Sequence, residues 1–447
     1  MKKILIANRG EIASRIIRTC KRIGIKTVAI YSEADQDAIY TRIADEKYFI
    51  GPPNVNESYL NMEKIIQIAV DAGVDAIHPG YGFLSENAEF ANKCKENDII
   101  FIGPSADAIE KMGNKIKARR ILGMANIPII PGNESPLKDL NEAKLVANEI
   151  GYPVMLKASA GGGGIGMQLV CNDEDLEKYF TSNRRRAGDF FGDDSLFIEK
   201  LIENPRHIEI QLLADNHGNI ISLGERECSI QRRHQKVIEE APSPFIDEIT
   251  RKKLYEVAIK IGKTINYSNA GTVEFIMDGE KNFYFLEVNT RLQVEHPITE
   301  EITGLDIVEH QVRIANDEVL SLSQDDIKIK GHAIEARIYA EDPVTFFPSP
   351  GRINKLSLPK GEKIRHEIGV EEGQEVTPYY DPMIGKLIVT ANTRLEAIMN
   401  LSRALDEYNI EGIKTNIPLL KRISKNGAFK KGHTTTNFIA EELTEGK

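Results

Sequence analysis

A glycine-rich segment is the clearest chemical feature of the sequence. Residues 157–166 read Lys-Ala-Ser-Ala-Gly-Gly-Gly-Gly-Ile-Gly and lie between two strand-like stretches. Backbone N–H groups without neighbouring Cβ atoms can approach phosphate oxygens, and glycine lets a segment open and close. The Gly-Lys-Ser/Thr ending of a P-loop is absent. The segment predicts a phosphate-binding lid with Lys157 and Lys115 as phosphate cations, and a plain hairpin turn is the alternative.

A predicted hairpin carries two carboxylates and an amide. Residues 271–276 and 283–289 read as its strands. Period-two alternation puts Glu287 and Asn289 on one face of the second strand, and Glu274 lies inside the apolar first strand. A lone buried charge is costly, whereas Mg²⁺ bridging phosphates needs a few hard oxygen ligands. These three side chains are therefore predicted metal ligands, with structural salt bridges as the alternative.

Two polar runs carry residue types suited to anion chemistry. Arg291, Gln293 and Glu295 continue the alternation of the second strand, which predicts that they line one face next to the metal. His234 and Lys236 are two residues apart and are predicted to share a face in the same way. A charge run alone usually forms a solvated surface. Here cations could hold two anions together, and a carboxylate could act as general base.

The elements around these residues predict an α/β protein. Strand-like runs occur at residues 4–7, 26–31, 74–77 and 99–102. Helical patterns separate them, so a doubly wound sheet is expected. Asn8-Arg9-Gly10-Glu11 has one glycine where the dinucleotide fingerprint needs three, so no NAD site is predicted. A proline-rich stretch indicates a domain boundary near 110–130, and strands dominate after residue 330.

Composition narrows the choice of partners and compartment. The 447 residues carry 57 basic and 67 acidic side chains, a formal charge of −10, which favours neither nucleic acid nor an acidic membrane as a partner. The four cysteines are far apart, without the spacing of a disulfide framework or a zinc site. No apolar run has the length of a signal peptide or a membrane span. A cytoplasmic protein is expected.

The chain resembles biotin carboxylase, the ATP-grasp component of biotin-dependent carboxylases, over essentially its whole length. The motifs that carry the resemblance are residues 7–13, 77–87, 157–166, 231–236, 289–297 and 381–387. The resemblance implies three domains. They are a doubly wound pre-ATP-grasp domain at 1–112, an ATP-grasp domain at 113–325 with a glycine-rich lid at about 131–203, and an α+β C-terminal biotin carboxylase domain at 326–447.

The resemblance also implies the reaction: ATP activates bicarbonate to carboxyphosphate, and the ureido nitrogen of biotin is then carboxylated. Implied ATP-binding residues are Lys115, Lys157, Gly163, Gly164, Glu199, Lys200, Ile202, His207, Gln231 and His234. Implied ligands of Mg²⁺ or Mn²⁺ are Glu274, Glu287 and Asn289. Implied bicarbonate-binding residues are Lys236, Arg291, Gln293 and the Val294 backbone. Glu295 would deprotonate bicarbonate, released phosphate would deprotonate biotin, and Arg291 and Arg337 would stabilise the biotin enolate.

The implied partners follow from the same resemblance. The only Met-Lys pair is Met1-Lys2, so biotin is expected on a separate carboxyl carrier protein, with the carboxyltransferase also separate. The final acceptor would be an acyl-CoA, with acetyl-CoA favoured, or pyruvate. A homodimer is expected through the first helix and last domain. The helix residues Arg15, Arg18 and Arg22 would then need counter-charges.

Two features leave other interpretations open. The family's loop usually has a further glycine and a basic residue where this chain has Ala160 and Ile165, so lid closure is expected to be less assisted by charge. Another ATP-grasp ligase, one that passes an acyl phosphate to an amine, is the main alternative. A nucleotide-binding regulatory protein without catalysis is a further one, although Lys236 and Glu295 are both present.

Overall fold

The computed structural model describes residues 1–160 and 166–443, and it opens with a five-stranded parallel sheet. The elements of this unit are β1 (Lys3–Ile6), α1 (Gly10–Arg22), β2 (Lys26–Ser32), α2 (Ile39–Ile43), β3 (Glu46–Gly51), α3 (Met62–Asp71), β4 (Ala76–His78), α4 (Ala88–Glu96) and β5 (Ile100–Phe101). The strand order is β3-β2-β1-β4-β5. β1 is apolar because helices cover both faces of a doubly wound sheet. The predicted doubly wound sheet is confirmed.

A small separate sheet follows two connecting helices. These elements are α5 (Ala106–Gly113), α6 (Lys115–Met124), α7 (Leu140–Ile150), β6 (Val154–Ala158), β7 (Met167–Val170), α8 (Asp173–Phe191) and β8 (Leu196–Lys200). The three antiparallel strands have the order β7-β6-β8 and share a hydrophobic core with α7 and α8. The glycine loop joins β6 to β7. Gly163, Gly164 and Ile165 lie outside the described residues.

The largest sheet has eight strands and carries most of the predicted site. Its first part contains β9 (Arg206–Ala214), β10 (Ile220–Arg232), β11 (Gln235–Ala241), α9 (Glu248–Thr264), β12 (Asn269–Met277), β13 (Phe283–Asn289), α10 (His296–Thr303) and α11 (Ile307–Ala315). The strand order is β13-β12-β9-β10-β11, and the sheet then continues into strands that follow residue 330. Alternation along each strand sends one set of side chains toward α9 and the opposite set toward the site.

The last part of the chain completes this sheet. Its elements are β14 (His332–Tyr339), β15 (Gly351–Arg352), β16 (Lys355–Ser357), β17 (Ile364–Ile368), β18 (Glu375–Val376), β19 (Met383–Ala391), α12 (Arg394–Glu407), β20 (Asn409–Glu411), α13 (Ile417–Lys425), α14 (Gly427–Lys430) and α15 (Phe438–Glu442). β14 pairs with β11, and β19 and β17 follow it. The sheet therefore runs across residue 325, where sequence predicts a domain boundary.

The arginines of α1 find their counter-charges within the same chain. Arg15 Nη2 lies 2.8 Å from Glu300 Oε1, and Arg22 Nη2 lies 2.6 Å from Asp306 Oδ2. Arg18 pairs with Glu367 of β17. Ion pairs with α10, with the start of α11 and with β17 thus tie the first unit to the large sheet. Within residues 1–160 and 166–443, no helix is long and apolar enough to cross a membrane.

Candidate active site

Lys236 lies at the centre of a buried ionic cluster. It is the second residue of β11 and pairs with Gln231 across the β10–β11 hairpin. Its Nζ atom lies 2.5 Å from Glu209 Oε2, 2.8 Å from Glu274 Oε1 and 2.7 Å from Glu295 Oε1. A buried lysine requires such partners, because an unpaired charge in apolar surroundings is prohibitive. Three carboxylates from separate parts of the chain therefore converge on one ammonium group.

Arg226 and Arg337 bring two further cations to these carboxylates. Arg226 of β10 is completely buried, and its Nε atom donates to Glu209. Arg337 of β14 donates from Nη2 to Glu295 Oε2 at 3.1 Å and from Nε to Glu239 Oε1 at 2.6 Å. Sequence predicts Arg337 and Glu295 as site residues. It misses the other three, which bind and orient the predicted ones.

Electrostatics fix the protonation state of this cluster. Burial alone would raise the pKa of Glu295, but the charges of Lys236 and Arg337 outweigh it and lower the pKa below its usual range. Burial would lower the pKa of Lys236, but the surrounding carboxylates, Glu209 first, raise it well above its usual range. Glu295 is therefore a carboxylate and Lys236 an ammonium at neutral pH.

The β12–β13 hairpin presents the predicted metal ligands. Glu274 and Glu287 are cross-strand partners, so both side chains lie on one face. Asn289 Nδ2 donates to Glu274 Oε1 at 2.8 Å, so the Asn289 side chain also reaches this face. In the described part of the chain, the one ion pair of Glu287 is with Lys115 Nζ, at 3.8 Å. Two carboxylates and an amide carbonyl are hard oxygen donors that fit Mg²⁺ or Mn²⁺.

Arg291 and Gln293 connect this hairpin to the ionic cluster. β13 ends at Asn289, and the chain then turns toward α10, with Glu295 at the helix start. Arg291 Nη2 donates to Asn289 Oδ1 at 2.8 Å, and Nη1 donates to Gln293 Oε1 at 2.7 Å. Gln293 Nε2 in turn donates to Glu274 Oε1 at 2.8 Å. The predicted set is brought together, although by a loop and not by continued strand alternation.

The three-stranded sheet β7-β6-β8, called the lid sheet below, carries two further cations, Lys157 on β6 and Lys200 on β8. Lys157 Nζ lies 2.5 Å from Glu199 Oε2, and Arg119 pairs with the other oxygen of Glu199. Lys200 follows Glu199 on β8 and points to the opposite face, where its Nζ donates to the Gly151 carbonyl at 2.7 Å. Lys157 and Glu199 are thus available to one ligand, whereas the Lys200 ammonium is directed elsewhere. Ile202 follows two residues after β8 and is half-buried.

His207 and Gln231 lie between the lid and the cluster. Gln231 Nε2 lies 2.9 Å from His207 Nδ1, and His207 Nε2 lies 2.7 Å from Glu274 Oε2. The prediction that His234 and Lys236 share a strand face is wrong. β10 ends at Arg232, and His234 takes a φ of +66° in the hairpin turn, so strand alternation restarts after it. Partial burial and the charge of Lys157 lower the pKa of His234.

We compared the chain with family models and with known proteins. Family models match three consecutive segments: biotin carboxylase N-terminal domain at 1–109, carbamoyl-phosphate synthase L chain ATP-binding domain at 114–323, and biotin carboxylase C-terminal domain at 335–441. The "Biotin carboxylase" of Halalkalibacterium halodurans is 61% identical over 99% of this chain and 98% of that protein. The chain belongs to the biotin carboxylase family. The predicted family, fold class and enzyme class are confirmed.

Further relatives of the family are parts of larger carboxylases. A pyruvate carboxylase subunit of Methanothermobacter thermautotrophicus is 51% identical over 98% of this chain and 89% of that protein. A crystal structure of the biotin carboxylase domain dimer of Hydrogenobacter thermophilus 2-oxoglutarate carboxylase, in complex with MgADP, ADP and bicarbonate, superposes with a TM-score of 0.96. It is 50% identical and covers 98% of this chain and 97% of that one. These comparisons give no support to an amine ligase.

Two buried charged residues beside the site were not predicted from the sequence as site residues. Lys386 of β19 donates to the carbonyl oxygen of Val294 at 2.7 Å and lies 3.2 Å from Glu11 Oε1. Glu335 of β14 is buried two residues before Arg337. Lys386 is the single charge in the apolar strand β19, and such an isolated charge is the sequence signal that could have identified it. Glu335 and Glu209 lie in strands that carry other polar and charged residues, so this signal is absent for them.

Proposed function

We propose that the chain catalyses ATP-dependent carboxylation of biotin with bicarbonate, through carboxyphosphate. The observation that carries the proposal is the convergence of Glu295, Arg337 and Arg291 near Lys236, next to a hairpin that offers oxygen ligands. Cations are required because the reaction brings a triphosphate and bicarbonate together against their mutual repulsion. A carboxylate is required because bicarbonate must lose a proton before its oxygen attacks phosphorus.

For ATP, we assign the triphosphate to the cleft between the lid and the hairpin. Lys157 and Lys115 now pair with Glu199 and Glu287, and they would exchange these carboxylates for phosphate oxygens. We place three further predicted ATP contacts along this cleft, namely His207, Gln231 and His234. Gly163 and Gly164 would supply backbone donors. Lys200 and Ile202 remain predicted contacts, with the Lys200 ammonium turned toward Gly151 and Tyr152.

Glu274, Glu287 and Asn289 would hold the divalent metal. When bound, Mg²⁺ or Mn²⁺ neutralises charge on the phosphates and orients them. Glu274 is the ligand most tied to the rest of the site, because its carboxylate accepts from Lys236, Asn289 and Gln293. Those donors fix the orientation of the carboxylate before any ion arrives.

Bicarbonate would bind between Lys236, Arg291, Gln293 and the backbone of Val294. In this place the anion competes with Glu295 for Lys236. Its arrival weakens the ion pairs that depress the pKa of Glu295, so the carboxylate becomes a stronger base when it has a proton to accept. Glu295 can therefore serve as the general base although its pKa is low before bicarbonate binds.

Biotin would occupy the side of the cluster that faces Arg337. Carboxyphosphate breaks down to CO₂ and phosphate, and the phosphate takes the ureido proton of biotin. The enolate oxygen that forms is stabilised by Arg337 and Arg291, and the ureido nitrogen then attacks CO₂. Arg337 donates from Nε to Glu239, and its Nη2 atom, which donates to Glu295, would face the substrate. A planar, permanently charged guanidinium suits this role because it retains its proton throughout the reaction.

The proposed assembly is a dimer in the cytoplasm that receives biotin on a separate carboxyl carrier protein and serves separate carboxyltransferase subunits. Relatives that are parts of larger carboxylases and the dimer of a structural neighbour support it. Acetyl-CoA is the favoured final acceptor, with pyruvate as the other. Turnover of acetyl-CoA and of pyruvate by complexes reconstituted with each carboxyltransferase would distinguish them.

The test of the activity is bicarbonate-dependent ATP hydrolysis with and without free biotin. We expect biotin to stimulate hydrolysis and to accumulate as carboxybiotin. A protein that binds MgATP but gains no turnover from biotin would refute the proposal. Stimulation by an amine in place of biotin would instead favour the ligase that passes an acyl phosphate to an amine.

A further inference from the structure

Two buried glutamates lie directly behind Arg337. Glu239 of β11 and Glu335 of β14 are cross-strand partners, and both are completely buried. Glu335 and Arg337 are two residues apart on one strand, so they point to the same face, and Lys386 of β19 lies opposite Arg337. The face thus carries two carboxylates side by side, next to the guanidinium assigned to the biotin enolate.

Not all four carboxylate oxygens of this pair have a hydrogen-bond partner. Arg337 Nε donates to Glu239 Oε1 at 2.6 Å. Among the residues that the structure describes, Glu239 Oε2 and both oxygens of Glu335 are buried without a hydrogen-bond partner. Lys386, the nearest other cation on this face, directs its ammonium to the Val294 carbonyl at 2.7 Å and to Glu11 at 3.2 Å. Within that described part of the chain, Glu335 therefore accepts no hydrogen bond from a protein donor.

Two ionised carboxylates in this position would repel each other strongly. Directly opposed side chains in an antiparallel pair are about 5 Å apart at Cβ, and like charges there are destabilising. A proton between them removes the repulsion and joins one oxygen of Glu335 to Glu239 Oε2, which gives two of the three unpartnered oxygens a partner. Because the guanidinium holds Glu239 as the anion, Glu335 is the member that keeps the proton.

The surroundings of Glu335 agree with this assignment. Burial is the main cause that raises the pKa of Glu335 well above its usual range, and the neighbouring carboxylates add to it. The charged and titratable groups that face the pair are Arg337, Lys386, Glu295, Lys236 and Tyr81. Burial also raises the pKa of Glu239. The cations oppose these shifts, but Arg337 pairs with Glu239 and Glu295, and Lys386 is engaged with the Val294 carbonyl and Glu11.

We propose that Glu239 and Glu335 share one proton, and that this protonated pair positions Arg337 for the biotin enolate. The inference rests on the proposed function of Arg337. With one proton, the pair presents a single negative charge, which matches the single positive charge of the guanidinium. Loss of the proton adds a second negative charge beside Arg337, draws the guanidinium back from the substrate and disfavours an anionic enolate. The reaction then fails in alkaline solution.

The first test is the pH profile of kcat/KM for biotin. In the wild type we expect a fall of at least about tenfold as the pH is raised above neutral and the pair ionises. Glu335→Gln cannot ionise, so its profile should lose this fall, with a modest decrease at neutral pH. The matched control is Glu240→Gln, because Glu240 is buried on the same strand as Glu239 but pairs with Arg394 and His332 on the opposite face. An alkaline fall unchanged in Glu335→Gln would overturn the proposal.

The second test does not depend on turnover. Infrared spectroscopy of the wild type should show the carbonyl stretch of a buried protonated carboxyl group at neutral pH, and this band should disappear as the pH is raised. Its loss in Glu335→Gln assigns the band to this pair, because burial also raises the pKa of other glutamates such as Glu227. Absence of the band at neutral pH would overturn the shared proton. If the proposed activity is wrong, the band would persist while no biotin-dependent hydrolysis is found at any pH, so the two failures are distinguishable.

Discussion

Glu295→Gln separates binding from chemistry more sharply than other single substitutions at this site. Glutamine has the shape of glutamate and keeps an acceptor oxygen, but it cannot take a proton from bicarbonate. Lys236 keeps Glu209 and Glu274, and Arg337 keeps Glu239, so neither cation is left unpaired. The destabilisation should be about 1–3 kcal/mol, below the roughly 3–5 kcal/mol typical when a buried charge loses its only partner.

The catalytic loss should be much larger than this change in stability suggests. A positioned general base contributes about 10²–10⁴-fold, so bicarbonate-dependent turnover should fall by that factor. MgATP affinity should be nearly unchanged, because Lys157 and Lys115 contact Glu199 and Glu287 and not Glu295. The measurements are ATP hydrolysis with and without bicarbonate, MgATP binding by calorimetry, and unfolding in urea.

Glu240→Gln is the control for removal of a buried, paired carboxylate elsewhere in the same sheet, since His332 lies 2.8 Å and Arg394 2.6 Å from Glu240. It should lower stability while turnover is retained. If Glu295→Gln retained turnover at the level of this control, Glu295 would not be the base. If it lost MgATP binding in parallel with turnover, its role would lie in the nucleotide site.

Three further predictions concern other parts of the molecule. Asp306→Asn should lower the free energy of unfolding most at about pH 7 and progressively less below about pH 4, because Arg15 and backbone hydrogen bonds outweigh burial and lower the pKa of Asp306. Its stabilisation is complete above the unfolded pKa and is lost only as the pH falls through the lower folded pKa, so an effect that does not decrease with falling pH would refute it. Gly369→Ala should destabilise the protein by about 1–3 kcal/mol in urea, because a Cβ there would lie 2.7 Å from the backbone nitrogen of Glu11, and Gly361→Ala, with neighbours no nearer than 3.4 Å, should not. Ile165→Lys should lower the KM for ATP, because it adds to the glycine loop a positive charge that can assist closure over the phosphates. An unchanged KM would contradict this prediction.

Local patterns were sufficient to predict the secondary structure of single segments. The apolar strands with Glu274 and Glu287 predicted a hairpin, and the structure has it in the register that makes the two glutamates partners. Alternation failed where the backbone left the strand. At His234 a left-handed turn intervenes, and after Asn289 a loop carries Arg291 and Gln293 to the cluster.

The pairing of strands that are distant along the chain could not be predicted from the sequence. β11 and β14 are far apart along the chain, and nothing local to either strand specifies that Glu239 and Glu335 become neighbours. The counter-charges of Arg15 were unplaced for the same reason, because Glu300 and Asp306 approach α1 only in the folded protein. Side chains that hold others in place are defined by tertiary contacts and not by motifs.

The eight-stranded sheet makes the regions before and after residue 325 a single cooperative unit. Removal of the segment from β14 onward would expose the edge of β11 and deprive Glu239 of its arginine, so hydrogen exchange at β11 and β14 should occur together by global unfolding. The lid sheet has its own hydrophobic core and its own three strands. Hydrogen exchange in this sheet should therefore be separable from exchange at β11 and β14.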